Sequence, residues 1–332
     1  MHHRGTTGKG LWGLLMLLGM GVPRAAYCAD TQEAVVVARL PAIMMKSPAT
    51  DAWLLDIQRV GNRLVAVGGR GVILISDDGG ATWKQVACPV DVTLTTVSFV
   101  DAQNGWIGGH EATLLRTRDG GDTWTVERTA PDTDDPILKI WFSKEHGGFA
   151  IGGHSLMLRR VGETWRRRDL LAENDDEFSP HLFGIGELSN GAVLVAAESG
   201  HLFRSDVSAA KWYLQPTPYA GSWFGVANLG SSDQLVLYGM LGHVFVSSDG
   251  GDRWDPVSIN TQSSLFAHHS NSSFDLVGAD GTVLEAKLKQ QQLTFSQRTF
   301  PVSRGTVTAL AGVVADRWVA ATTRGVVLFN TR

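Results

Sequence analysis

The sequence is poor in cysteine, tyrosine and positive charge, and each shortage closes a class of function. Its 332 residues include two cysteines, Cys28 and Cys88, so neither a disulfide framework nor a cysteine-ligated metal cluster is available. Acidic residues outnumber basic ones, 33 to 29, which is the wrong sign for a nucleic-acid binder. Long hydrophobic runs are also missing. The one from Leu11 to Val22 is about half of the ~20 residues a membrane-spanning helix needs. Arg4 and Lys9 precede it and the small residues Ala25, Ala26 and Ala29 follow it, the order found in an export signal. Residues 1–29 are therefore expected to be a signal peptide, cleaved between about 26 and 29, and residues 30–332 one exported domain. Tyr27 is too large for the position before a lipidated Cys28. Cleavage leaves 26 basic against 33 acidic residues, a net charge of about −7.

What the chain has in excess is glycine, 38 residues, and tryptophan, 11. Glycine supplies the positive φ angles of tight turns, so many short strands are implied. Trp83, Trp124, Trp165, Trp212 and Trp254 follow one another at steps of 41, 41, 47 and 42 residues, a spacing that marks repeated units. The first unit reads WLLDIQRV, RLVAVGG, GVILISDD and TWKQVAC, four alternating stretches broken by turn residues. Two further copies, from Leu265 to about Arg298 and from Val307 to Asn330, lack the tryptophan turn but keep the core pattern. Seven units of four strands predict an all-β, seven-bladed β-propeller. The last unit stops at its third strand, which would leave an open edge. The segment EAVVVARL, Glu33 to Leu40, is expected to supply the fourth strand and close the ring.

The turns between third and fourth strands resemble the Asp-box, or bacterial neuraminidase repeat. Two copies are complete, at Ser76, Asp78, Gly80, Thr82, Trp83 and at Thr117, Asp119, Gly121, Thr123, Trp124. A third, Ser247, Asp249, Gly251, Trp254, has Arg253 in place of threonine. A short carboxylate accepts bonds within its own turn and the indole packs on the hairpin, so these residues are expected to be structural. The opposite face gathers the second-to-third strand turns and the blade-to-blade connections. It should carry Arg70, His110, Glu111, His154, Glu198 and Arg324, the acidic runs at 132–135 and 173–177, and the loop PTPYAGSW, Pro216 to Trp223. Loops on a rigid scaffold carry function more often than the blades, so Arg70, His110, Glu111, His154 and Arg324 are the expected partner-binding residues.

A catalytic site is not legible. Sialidases share the Asp-box, yet their Arg-Ile-Pro signature is absent. Tyr238 lies in the apolar stretch LVLYG, as a core residue would. A glycoside hydrolase with two carboxylates stays as an alternative, with no pair identified. His268 and His269, adjacent on a first strand, should point to opposite faces; no metal site and no cofactor is expected. His110, His154, His201 and His243 recur beside the second-to-third strand turn, as repeat-related residues do.

Across residues 31–332 the chain resembles the photosystem II stability and assembly factor family. The resemblance rests on VAVGGRGVILISDDGGATWKQV (Val65 to Val86), on VSFVDAQNGWIGGHEATLLRTRDGGDTW (Val97 to Trp124), and on the element formed by Phe99, Asp101, Gly105 and Trp106. It implies a non-enzymatic propeller that holds a subunit of a membrane complex during assembly through an arginine-rich surface patch. The patch does not align residue by residue, and Arg70 is offered for it only by its place on a GxxGxI-type turn. Bacterial relatives that resemble periplasmic accessories of RND-type exporters give the alternative partner. The expected setting is the periplasm, or the thylakoid lumen of a photosynthetic host. A monomer that binds no nucleic acid is expected there.

Overall fold

The computed structural model describes residues 40–46, 52–170, 179–229, 234–270, 274–289, 292–298, 300, 305–314 and 317–330. Each repeat becomes a radial antiparallel sheet with its strands in chain order from the axis outward, and there are seven sheets. Six have four strands, and the seventh has three among the described residues. The expected closing strand, 33–40, lies outside the described residues except for Leu40, as do the signal segment and the acidic run 173–177.

The ring closes through packing. The middle strands are near-continuous apolar runs, such as Leu64–Val67 and Ile73–Ile75, so each blade has two apolar faces and buries them against its two neighbours in separate cores. The core between the last and first blades joins Ala309, Ala311, Val313 and Val319 to Leu54, Ile57, Leu64 and Leu74. Backbone bonds add to this seam, with Gly325 N donating to Ala52 O at 2.8 Å. A linear row of repeats would leave that seam open.

Seven first strands line the axis: Leu54–Val60, Leu94–Phe99, Ile137–Ser143, Leu182–Glu187, Trp223–Asn228, Leu265–Ser270 and Val307–Val314. Near its start each one shifts register against its second strand, leaving one extra residue unpaired. Such a bulge re-aims its side chain. The seven bulged residues are Leu55, Thr95, Leu138, Phe183, Phe224, Phe266 and Thr308. Because first strands begin at the connection face, this ring of residues surrounds that mouth of the central channel.

Inner strands have a free backbone edge toward the axis, and unpaired edge groups need partners. In blades 1 to 3 side chains of one blade supply them for the next. Asp56 Oδ2 accepts from Thr96 Oγ1 at 3.0 Å and from Val97 N at 3.1 Å. Gln58 Oε1 accepts from Phe99 N at 2.7 Å. Blades 4 and 5 solve the contact differently. The Cβ of an alanine at 184 would lie 2.6 Å from Gly225 Cα, so their inner strands meet backbone to backbone.

Candidate functional site: the connection-face mouth of the channel

The channel along the axis has a volume of about 910 Å³ and is lined by all seven inner strands. Its connection-face mouth is divided. On one side Thr95 Oγ1 donates to Ile137 O and Thr308 Oγ1 to Leu54 O, the latter at 3.1 Å, so two of the bulged side chains fold back to join the next blade. On the other side the bulge carries phenylalanine in three consecutive blades. Phe183 and Phe224 stand 5.1 Å apart at 71°, and Phe224 and Phe266 5.2 Å apart at 54°. These are edge-to-face and tilted contacts, favoured by the ring quadrupoles. His181 extends the row at 6.2 Å from Phe183, and His154 follows at 5.0 Å from His181. Five rings therefore run from a turn of blade 3 to the inner strand of blade 6, with Phe266 37% exposed.

Below the mouth, Lys139 reaches the channel with its side chain 42% exposed and its Nζ 3.8 Å from Asp56 Oδ2. On the aromatic side the next residues are Gly184, Gly225 and Ala267. Tyr238 passes beside Gly225, and its hydroxyl lies 2.8 Å from His268 Nδ1. Burial pushes the His268 pKa down to about 3, with the charges of Lys139 and His269 adding to it. His268 is thus neutral at pH 7. His269 turns the other way, edge-on to Trp318 at 4.7 Å, so the two histidines face opposite sides as expected. Tyr238 is a core residue, 2% exposed.

All five expected partner-binding residues lie on connection-face turns. Arg70, Glu111 and His154 occupy the left-handed region, with φ of 55°, 57° and 48°, as the first residue of a tight hairpin turn does. His154 alone joins the row of rings. Its Nδ1 is 3.0 Å from Asp135 Oδ1, which ties the turn to the acidic run at 132–135. Glu111 is half-buried, while Arg70, His110 and Arg324 are exposed on three separate turns. Glu198 is structural: its Oε2 accepts from His181 N at 3.2 Å. His201 and His243 bond their own turns through Nδ1, at 2.8 Å from Glu198 O and 3.0 Å from Met240 O.

The opposite face is built from self-contained turns. Asp78 Oδ1 accepts from Ser76 Oγ at 2.8 Å and Thr82 N at 2.9 Å, and Oδ2 from Thr82 Oγ1 at 2.6 Å. Asp119 repeats the set with Thr117 and Thr123. The threonine hydroxyl bond, first among these, holds each carboxyl at about 2, below the usual aspartate range. Gly80 and Gly121, at φ of 86° and 95°, expose a carbonyl to the indole of Trp83 and of Trp124, each at 3.1 Å. In the third copy Arg253 has no hydroxyl to offer Asp249, and Gln215 Nε2 rather than the Trp254 indole reaches Gly251 O, at 3.2 Å. The element from Phe99 to Trp106 is structural too. Asp101 Oδ1 accepts from Gln103 N and Asn104 N, at 2.8 and 2.7 Å. The Trp106 indole donates to Glu127 Oε2 at 2.7 Å, with the Arg116 and Arg160 guanidinium groups over its ring.

One cluster on this side was not expected. Glu145, His146 and Glu187 bring one ligand-type atom each within 4.8 Å of one another. Their donors and acceptors are engaged locally, Ser143 Oγ donating to Glu187 Oε1 at 2.9 Å and His146 Nε2 lying 2.7 Å from Gly191 O.

Fold and site together define a closed seven-bladed Asp-box propeller whose connection face presents an aromatic channel mouth. Residues 81–222 match the family model described as Photosynthesis system II assembly factor YCF48. The chain is 31% identical over 166 residues to the chloroplastic photosystem II stability/assembly factor HCF136 of Arabidopsis thaliana, covering 43% of this chain and 41% of that protein. It is 40% identical over 53 residues to the photosystem II assembly protein Ycf48 of Thermosynechococcus vestitus, covering 16% of this chain and 15% of the relative. The alignments thus span well under half of these relatives' length. A solved structure of YCF48 bound to D1 peptide superposes with a TM-score of 0.65 at 17% identity, over 88% of this chain and 96% of that one, which shows the fold. Over part of its length the chain is therefore similar to the photosystem II stability and assembly factors, and it shares their propeller fold.

Proposed function

We propose that this protein is an exported, non-enzymatic assembly factor that holds a subunit of a membrane protein complex, a photosystem II subunit where the host has one, through its connection face. The match of residues 81–222 to the assembly-factor model carries the reading. The structure of a YCF48 with a D1 peptide gives a precedent for a peptide ligand on this fold. The chemistry of the site agrees with binding. The Asp-box carboxylates are occupied by donors of their own turns, and Tyr238 is enclosed by its neighbours. Neither arrangement suits a glycosidase, which needs a carboxyl pair open to a sugar. The related proteins named above are photosystem II factors, and the exporter alternative gains no support from them.

Arg70, His110, Glu111, His154 and Arg324 remain proposed contact residues on that face. The test is affinity capture from detergent-solubilised membranes of the native host, with the bound proteins identified by mass spectrometry. A membrane-complex subunit retained by the wild-type protein supports the reading. Retention of none would overturn it, and hydrolysis of any member of a glycoside panel would put the enzyme reading in its place.

A further inference from the structure

The divided mouth asks for an account that the propeller fold itself does not require. All seven blades share the same bulge, so backbone geometry cannot explain why three consecutive ones carry phenylalanine. Thr95 and Thr308 show what the position does when it serves the scaffold: the side chain bonds the next blade. Phe183, Phe224 and Phe266 make no such link. They lay apolar rings about 5 Å apart around one side of an open channel, and a partly exposed apolar arc in a concavity of this size is suited to taking an apolar group.

Two neighbouring features define what accompanies that group. Lys139 is a cation in the channel wall of blade 3, beside the first phenylalanine blade, and its partner Asp56 is distant and already engaged. Asp56 takes Ile57 N at 2.9 Å besides Thr96 Oγ1 and Val97 N, while Lys139 Nζ stays at 3.8 Å. A loosely paired ammonium is free to meet a carboxylate. Next, the inner strands of blades 4 and 5 contribute Gly184, Gly186, Gly225 and Ala227 to the wall, residues with no polar side chain to cap a backbone edge. Blades 1 to 3 cap theirs with Asp56, Gln58 and Thr96. Beneath the apolar arc the wall is thus glycine and alanine main chain rather than long side chains, and an extended chain can approach it closely.

We propose that the aromatic half of the channel mouth binds an extended peptide segment, with a bulky apolar side chain against Phe183, Phe224 and Phe266 and an adjacent carboxylate at Lys139. The peptide is assigned to the captured membrane subunit only through the assembly-factor reading; the binding chemistry itself does not depend on it.

The test has two arms. In the first, the full mature protein is titrated with three blocked octapeptides, Gly-Ser-Gly-X-Z-Gly-Ser-Gly, in which X-Z is Phe-Asp, Ala-Asp or Phe-Asn, and with 3-phenylpropionate. Phe-Asp is expected to bind about tenfold more tightly than Ala-Asp and several-fold more tightly than Phe-Asn. Lys139→Met should erase the difference between Asp and Asn. Phe224→Ala should erase that between Phe and Ala, with Phe224→Leu intermediate and circular dichroism confirming that each variant is folded. Equal binding of Phe-Asp and Ala-Asp, or 3-phenylpropionate binding as tightly as the best peptide, overturns the proposal. In the second arm the membrane capture is repeated with Phe224→Ala. Loss of a subunit that the wild-type protein retains supports the proposal. Undiminished retention sinks it while leaving the assembly-factor reading intact. If the wild-type protein retains nothing, that reading falls and the peptide titration decides the inference alone.

Discussion

The two halves of the channel mouth have the same backbone and different side chains. In blades 7, 1, 2 and 3 the bulged residues are Thr308, Leu55, Thr95 and Leu138, and the threonines bond the adjoining blade. In blades 4, 5 and 6 they are Phe183, Phe224 and Phe266, which contact one another and leave apolar surface in the opening. Polar satisfaction stabilises the first half. The second relies on glycines that let the inner strands touch, and its side chains are left over for binding. A repeat fold thus separates scaffold from function by position around a ring.

The largest way to break the comparison is Gly225→Ala. The added methyl would fall on the Tyr238 hydroxyl, which is held against His268. Overpacking of this kind costs about 2 kcal/mol, measured by urea unfolding, with the arc disordered as a result. Phe224→Ala comes next and acts on function. It should lower partner or peptide affinity about tenfold and reduce stability by less than the 3–5 kcal/mol typical of a fully enclosed phenylalanine. Thr95→Val should show the reverse split, about 1 kcal/mol of stability lost with capture unchanged. If Thr95→Val weakened capture and Phe224→Ala did not, the two halves would have to exchange roles.

A smaller effect sharpens the contrast with the Asp-box face. Asp78 and Asp119 are held at about 2 by bonds to the ionised form. Their folded pKa lies below the unfolded value near 3.8, so the stability they contribute is complete above pH ~4 and is lost as pH falls toward 2. Carbonyl NMR shifts should report both as ionised at pH 3. Arg253→Thr restores the hydroxyl donor that Asp249 lacks, and should raise the melting temperature by about 1 °C.

Much of this was legible in the sequence. The tryptophan spacing predicts the blades, and the DGG turns predict their own bonding, because both depend on residues a few positions apart. The connection-face turns were placed correctly by counting strands, and His154 does join the row of rings. The arc itself was not read. Phe183, Phe224 and Phe266 look like ordinary members of alternating strands until the bulge, a property of cross-strand register, turns them to the mouth. A faint signal existed, since LFG, WFG and LFA share one offset in three successive first strands. Glu145, His146 and Glu187 were missed because they meet only across a blade boundary. Trp254 resembles Trp83 and Trp124 in sequence, and only the position of Gln215 on the preceding blade separates them.

The most direct test places a photo-reactive benzophenone amino acid at Phe224 in one protein and at Asp122, beside an Asp-box turn, in another, followed by irradiation in the presence of solubilised host membranes. A covalent adduct to a membrane-complex subunit from position 224 and none from 122 is the result predicted. An adduct from 122 alone would put the partner on the opposite face and contradict the account.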